Sequence, residues 1–354
     1  MAIARAGRCL NIVDRILAST GHGRVARLAR NLASALFLTV VAVLALGSVA
    51  VVEAEEAGGK VLIHEAFPSK NAAFWPNFVA TSLGLYAKEG IDVQPVLTDP
   101  NVSVSALMGG SVEISYADST QLLLAVEKGA NLVAVGLSTD RQPYKLMAAP
   151  GIKTIADLKG KKIGAASAID IYTYVLKQIL RKGNLDPDKD VDWVVGGGQN
   201  QRLAAAIGGA VQAGLFSPPS DAKLTGLGFT TLAFTPDYYP NLTLSAETVR
   251  RDWVEQNGDT LRHLLAAEAA AVKWLNDPAN KAGTIDILVK AVNATPADAE
   301  DAYEAYIGKH AWTDACIHRP GMVNVVKIMH ETQQLKTITE ADVPKFADPQ
   351  WCSK

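Results

Sequence analysis

A chain of 354 residues, 49% hydrophobic and 20% charged, is long and apolar enough to bury one or two cores, which excludes a disordered or fibrous protein. A formal charge of −2 provides no basic surface for nucleic acid. The first thirty residues carry Arg5, Arg8, Arg15, Arg24, Arg27 and Arg30 against Asp14, and an uncharged apolar run over 32–52 follows. A basic segment feeding an apolar one predicts an export leader over 1–54, cleaved after Ala54. An uncleaved anchor is the rival, because about twenty apolar residues cross a bilayer. Losing 1–54 removes six Arg together with Asp14 and Glu53 and moves the formal charge to −6. Cys9 leaves with the leader, and Cys316 and Cys352 remain as an even pair, either joined in an oxidising compartment or left as two buried thiols.

From Lys60 short apolar runs alternate with amphipathic segments, the pattern of βα units, so the expected fold class is α/β with a largely parallel sheet. Strands are expected over 61–66, 91–96, 113–116 and 131–137. Helices are expected over 76–89, 103–108 and 120–128, closed by Gly90, Gly109-Gly110 and Gly129. After Pro150 the cycle restarts: a short helix over 155–158, a strand over 162–165, a helix over 169–182, strands over 191–195, 213–216 and 229–234, and a helix over 201–208. A second βα cycle beginning mid-chain predicts a second lobe, and 242–244 is a candidate return crossing. The remainder is mainly helical. Leu261, Leu264, Leu265, Val272 and Leu275 fall at helical spacing before a stop at Asp277-Pro278. Thr295-Pro296-Ala297-Asp298 and Thr339-Glu340-Ala341-Asp342 both read as helix starts.

The order of motifs carries a resemblance. Gly84-Leu85-Tyr86-Ala87-Lys88-Glu89-Gly90-Ile91-Asp92-Val93 looks like the signature that follows the first helix in type II periplasmic solute-binding proteins of ABC transporters. Ala106-Leu107-Met108-Gly109-Gly110-Ser111-Val112-Glu113-Ile114 is similar to their next segment, with Glu113 where Asp is usual. Lys153 to Gly164 resembles the opening of their second lobe, Ser217-Pro218-Pro219 a loop after its return strand, and Trp274-Leu275-Asn276-Asp277-Pro278-Ala279-Asn280 a late-helix motif of the sulfonate, nitrate, taurine and thiamine-precursor branch. The resemblance implies two discontinuous lobes joined by two crossing strands, with a ligand in the cleft and hinge closure around it. It places the first lobe at 60–146 and 244–354, the second at 147–243, and the crossings at 144–148 and 241–245. It also implies a small-molecule ligand, ABC permease subunits as partners, a periplasmic location and no cofactor. A monomer is expected.

In open α/β sheets ligands sit beyond the C-terminal ends of strands, and that rule selects candidates without the family. After the first strand, Phe67 and Trp75 offer stacking surfaces and Ser69 and Asn71 polar groups; Trp75 serves equally well as a core aromatic. Asp118 or Ser119 after the third strand is either a ligand contact or an N-cap. In the second lobe, Ser167, Asp170 and Tyr172 open a helix whose free N–H groups suit an anion, but a carboxylate at that mouth competes for those donors. Gln199, Asn200 and Arg202 follow the glycines at 196–198, where Arg202 either clamps an anion or lies on a helix surface; Ser217 stands at the next strand end.

The five histidines beyond the leader form no HExxH or other metal-ligand spacing, and no GxSxG or nucleotide-binding glycine motif is completed. A binder is therefore expected rather than an enzyme, although a pyrimidine-synthesising enzyme shares the fold. A membrane-tethered sensor follows only from the uncleaved-anchor reading.

Overall fold

The structure is a computed structural model, and it describes residues 59–99, 102–137 and 141–352. The expected leader and its cleavage site lie outside the described residues. Among the described residues ten strands form two mixed five-stranded sheets. In chain order they are β1 (Val61–Phe67), β2 (Ile91–Leu97), β3 (Ile114–Asp118), β4 (Leu132–Gly136), β5 (Lys145–Ala148), β6 (Lys162–Ala165), β7 (Asp192–Val195), β8 (Ala213–Phe216), β9 (Thr230–Phe234) and β10 (Ser245–Arg250).

The first sheet runs β2-β1-β3-β10-β4 and the second β7-β6-β8-β5-β9. In each, one strand delivered by a crossing runs antiparallel to its neighbours: β10 between β3 and β4, and β5 between β8 and β9. The chain thus leaves the first sheet after β4, builds the second from β5 to β9, and returns through 239–244 into β10. This is the two-lobed, discontinuous architecture that the resemblance implied. Residues 145–148, expected to be a crossing, are β5 itself, because their backbone is fully committed to β8 and β9. The first crossing precedes them.

Burial follows the layering. β3 and β4 are buried at every position, as strands covered on both faces should be, whereas edge strands β2 and β7 alternate or lie open. One face of the first sheet packs on the helices Trp75–Ser82, Arg251–Leu275 and Pro296–Tyr306, where the expected stripe Leu261, Leu264, Leu265, Val272 and Leu275 is buried. The other packs on Ser119–Glu127 and Arg319–Glu331 through Leu122, Leu123, Met322, Val325 and Val326.

The expected helix over 76–89 is two helices, Trp75–Ser82 and Leu85–Lys88. Gly84 between them has φ of 64°, a left-handed conformation that interrupts the first helix before the second begins. Thr295 accepts from the Asp298 N–H at 3.1 Å, and Thr339 and Asp342 form a reciprocal capping box. The structure joins Cys316 to Cys352, with Cα atoms 5.7 Å apart, which holds the C-terminal tail beside β4.

Behind the first sheet sits a polar island. Glu65 on β1, Glu247 on β10 and Glu268 on the long helix are fully buried, with carboxylate oxygens within 4.8 Å of one another. Tyr86 Oη donates to Glu268 Oε1 at 2.8 Å, Asn77 Nδ2 donates to the same atom at 3.3 Å, and Tyr116 Oη donates to Asn77 Oδ1 at 3.1 Å. Burial first, and for Glu65 and Glu268 the repulsion from Glu247 next, push these carboxyl groups above the usual carboxylate range.

Candidate functional site

A cavity of about 70 Å³ lies where the two sheets face each other, lined from both lobes and from the first crossing. Every strand-end loop named in the sequence contributes to it except the one at Ser217.

From the first lobe, Ser69 and Asn71 line the cavity in the loop after β1. Asn71 Oδ1 caps a short turn by accepting from the Ala73 N–H at 2.8 Å, while its Nδ2 donates to Ser69 Oγ at 2.8 Å. That turn carries Phe74 into the cavity wall, where its ring packs edge-on against Tyr116 with centroids 4.8 Å apart. Phe67 stands one layer behind, stacked on Tyr116 at 5.4 Å, and does not line the cavity. Trp75 points away altogether. It is fully buried among the helices and its indole N–H donates to the Thr284 carbonyl at 3.1 Å, so the loop's second stacking candidate is a core aromatic.

Asp118 ends β3 and does two things at once. Oδ1 accepts from the N–H groups of Thr120 and Gln121 at 3.0 and 3.1 Å, the N-cap of the helix Ser119–Glu127. Oδ2 is buried and has no protein hydrogen-bond partner. Ser119 is absent from the lining because its hydroxyl donates to the Thr243 carbonyl at 2.6 Å, tying the helix to the return crossing.

From the second lobe come Ser167, Asp170 and Tyr172. Asp170 caps the helix Ile171–Lys182: Oδ1 accepts from the Thr173 N–H at 2.9 Å, and Oδ2 accepts from the Ser167 N–H at 2.7 Å and Thr173 Oγ1 at 2.9 Å. Gln199 and Arg202 also line the cavity. Arg202 donates to the Gly197 carbonyl at 3.1 Å, and Gln199 Oε1 accepts from the Ser217 hydroxyl at 2.7 Å. Ser217 therefore braces Gln199 from behind and is fully buried, while Asn200, on the outward side of the same helix turn, is exposed.

Sequence reasoning missed Tyr116, Gln142 and Tyr144 among the lining residues. Tyr116 lies two residues before Asp118 on β3, so the period-two rule applied backwards from Asp118 finds it. Gln142 and Tyr144 lie on the first crossing, where Thr235 Oγ1 donates to the Gln142 carbonyl at 3.0 Å and the Thr235 N–H to the Tyr144 carbonyl at 2.9 Å. Tyr144 and Tyr172 meet edge to face with centroids 5.0 Å apart, one from the crossing and one from the second lobe.

The electrostatics centre on Asp118. Burial, then the Asp170 carboxylate facing it across the cleft, push its carboxyl up to about 8, against the pull of the Gln121, Thr120 and Ile171 N–H groups. Burial likewise raises Tyr144 and Tyr172, so both stay protonated hydroxyls. The arrangement can hold a small molecule between aromatic side chains and polar groups contributed by both lobes and the first crossing.

Comparisons with known proteins agree with the architecture. A chain of Brucella abortus (strain 2308), named as a candidate binding protein, is 29% identical over 260 residues, covering 70% of this chain and 76% of its own. The alkanesulfonate-binding protein SsuA from Xanthomonas axonopodis pv. citri, solved with MOPS, superposes with a TM-score of 0.66 at 20% identity, over 80% of this chain and 97% of that one. The periplasmic nitrate-binding protein NrtA from Synechocystis PCC 6803 superposes with a TM-score of 0.71 at 17% identity, over 82% and 87%. The family described as NMT1/THI5 like matches residues 71–281, well over half the chain. The chain belongs to the NMT1/THI5-like family and has the fold of periplasmic binding proteins.

Proposed function

We propose that this chain is the extracytoplasmic solute-binding subunit of an ABC importer, a monomer that captures a small organic molecule by hinge closure and delivers it to permease subunits. The observation that carries this reading is the cavity lined from both lobes and a crossing. A ligand seated there touches both lobes only when they are closed, so its binding energy favours the closed form by population shift. Among the described residues no helix is long and apolar enough to cross a membrane, and export rests on the basic and apolar leader over 1–54. The sequence motifs range over sulfonates, organic acids and heteroaromatic precursors as ligands.

The test is a thermal-shift screen against sulfonates, carboxylates, nitrate and pyrimidine precursors, paired with small-angle scattering and mass spectrometry. A ligand that binds only the folded state at about a hundred times its Kd stabilises it by about 2.7 kcal/mol. The expected result is a saturable rise in Tm with a smaller radius of gyration and no product. Chemical turnover of the bound molecule would overturn the reading in favour of an enzyme.

A further inference from the structure

We infer that the cleft recognises a ligand through a protonated nitrogen, an ammonium or amidinium group, and that Asp118 is its receptor. This rests on the reading of the cleft as a solute site and specifies the chemistry of the solute.

The hydrogen-bond inventory of the cavity gives the direction. Its charged lining consists of Asp118, Asp170 and Arg202. Asp170 has both oxygens committed to its own helix start, and Arg202, with five N–H donors, gives one from Nη1 to the Gly197 carbonyl. Asp118 is different: it lines the cavity, its Oδ1 is committed, and its Oδ2 is buried and has no partner. The Ile171 N–H approaches the carboxyl from across the cleft and favours its ionised form, but makes no hydrogen bond to Oδ2. Once ionised, Oδ2 is a buried charged acceptor without a donor, which costs more than the about 1–3 kcal/mol of a neutral one, so the component the carboxylate lacks is a donor. Gln142 also lines the cavity, and its Oε1 is a second buried atom without a partner.

Charge points the same way. Two carboxylates against one guanidinium leave the ionised cavity one negative charge in excess, and the complementary ligand group is a monocation. With Asp118 ionised, an anion would enter as the third negative group. It would also find the N-terminus of the helix Ile171–Lys182, the natural anion site of the second lobe, already occupied by Asp170 and faced by Asp118. Phe74, Tyr116, Tyr144 and Tyr172 supply four aromatic rings to the lining, and an aromatic ring face attracts a cation. The unpartnered oxygen selects N–H-bearing cations over quaternary ones.

The empty and loaded states then differ by a proton. The groups that interact electrostatically with Asp118 are Asp170, Tyr172 and Tyr174 on the helix that begins at Ile171; Tyr144 from the crossing, Arg202 from the helix Gln199–Ile207 and Tyr116 on its own strand line the same cavity. With the cavity empty, Asp118 holds a proton up to about pH 8. A cation must displace that proton, so its affinity rises about tenfold per pH unit below pH 8 and levels off above it.

The experiment measures binding of benzamidinium, benzylammonium, benzyl alcohol and phenylmethanesulfonate to the purified protein by calorimetry between pH 6 and 9. Asp118→Asn serves as the second arm, since Asn keeps the N-cap and the shape. The expected result is binding by the two cations, strengthening with pH below 8, with affinity lowered more than tenfold and the pH dependence abolished in Asp118→Asn at unchanged Tm. Binding by the sulfonate or the alcohol without the cations would overturn the inference and leave solute capture standing. Cation binding that is independent of pH and of Asp118 would overturn the assignment of the receptor. Binding by none of the four would overturn the inference, while the broader thermal-shift screen decides solute capture separately.

Discussion

Phe74 and Trp75 are adjacent in a loop whose composition advertises stacking, yet only Phe74 reaches the cavity. The turn capped by Asn71 ends at Phe74, and Trp75 begins the next helix, which swings its indole into the core. Trp75→Ala is therefore expected to cost about 3–5 kcal/mol of folding stability through the void it leaves, read as a fall in Tm and denaturation midpoint. An unchanged midpoint with selectively weakened ligand binding would return Trp75 to the site. The residues legible in advance, Ser69, Asn71, Asp118, Ser167, Asp170, Tyr172, Gln199 and Arg202, share one property: each follows a strand end, and the strand-end rule needs only the alternation of elements. Gln142 and Tyr144 were not legible because they line the cavity from a crossing whose path depends on how two sheets are placed in space. Ser119 and Ser217 illustrate the converse error, since a hydroxyl at a strand end can equally brace the backbone behind the wall.

At the level of elements, alternation and capping residues located the helices of the two βα cycles, the long helix before Asp277-Pro278 and the starts at Thr295 and Thr339, but not the helices Ser220–Gly226, Lys281–Val292 and Arg319–Glu331, and the two antiparallel strands were hidden. β10 reads Ser-Ala-Glu-Thr-Val-Arg, and a Glu at its centre breaks the apolar run by which a buried strand is recognised. β5 was confused with the crossing that precedes it, because a short apolar run has the same composition in either place. The C-terminal tail is an element of another kind, held by packing and by the Cys316–Cys352 link. Trp351 lies under the Arg262 guanidinium, 5.1 Å from its ring centroid, and Cys352 Sγ lies 3.6 Å from the Val135 carbonyl on β4. A link across 36 residues restrains the unfolded chain by about 4 kcal/mol in the loop-entropy account. Reduction is expected to lower the Tm of the native protein but not of Cys352→Ser, whose Tm matches that of the reduced form. Quantitative labelling of two thiols without reductant, at the native Tm, would show that the link is not formed in solution.

The whole molecule carries an electrostatic cost that no single element shows. Glu65, Glu247 and Glu268 come from β1, β10 and the helix Arg251–Leu275, and only the assembled first lobe brings them together. Their carboxyl oxygens lie within 4.8 Å of one another and, Glu268 Oε1 aside, have no hydrogen-bond partner, so an ionised carboxylate there stands buried and unpaired. In the unfolded chain each Glu ionises near its ordinary value of 4.5, while burial keeps the folded group protonated beyond it. The folded state therefore binds more protons than the unfolded one, and stability falls as pH rises above about 4.5, by about 1.4 kcal/mol per pH unit for each group that stays protonated in the fold and ionises in the chain. Glu65→Gln imitates the protonated acid, retaining a donor and an acceptor of the same shape without the linkage. It is expected to be more stable than the native protein at pH 7, no more stable near pH 4.5, and to show a shallower loss of stability between them in urea denaturation. Parallel curves for the two proteins would mean that Glu65 is ionised in the fold. The triad would then need a positive partner supplied by something other than its own protons.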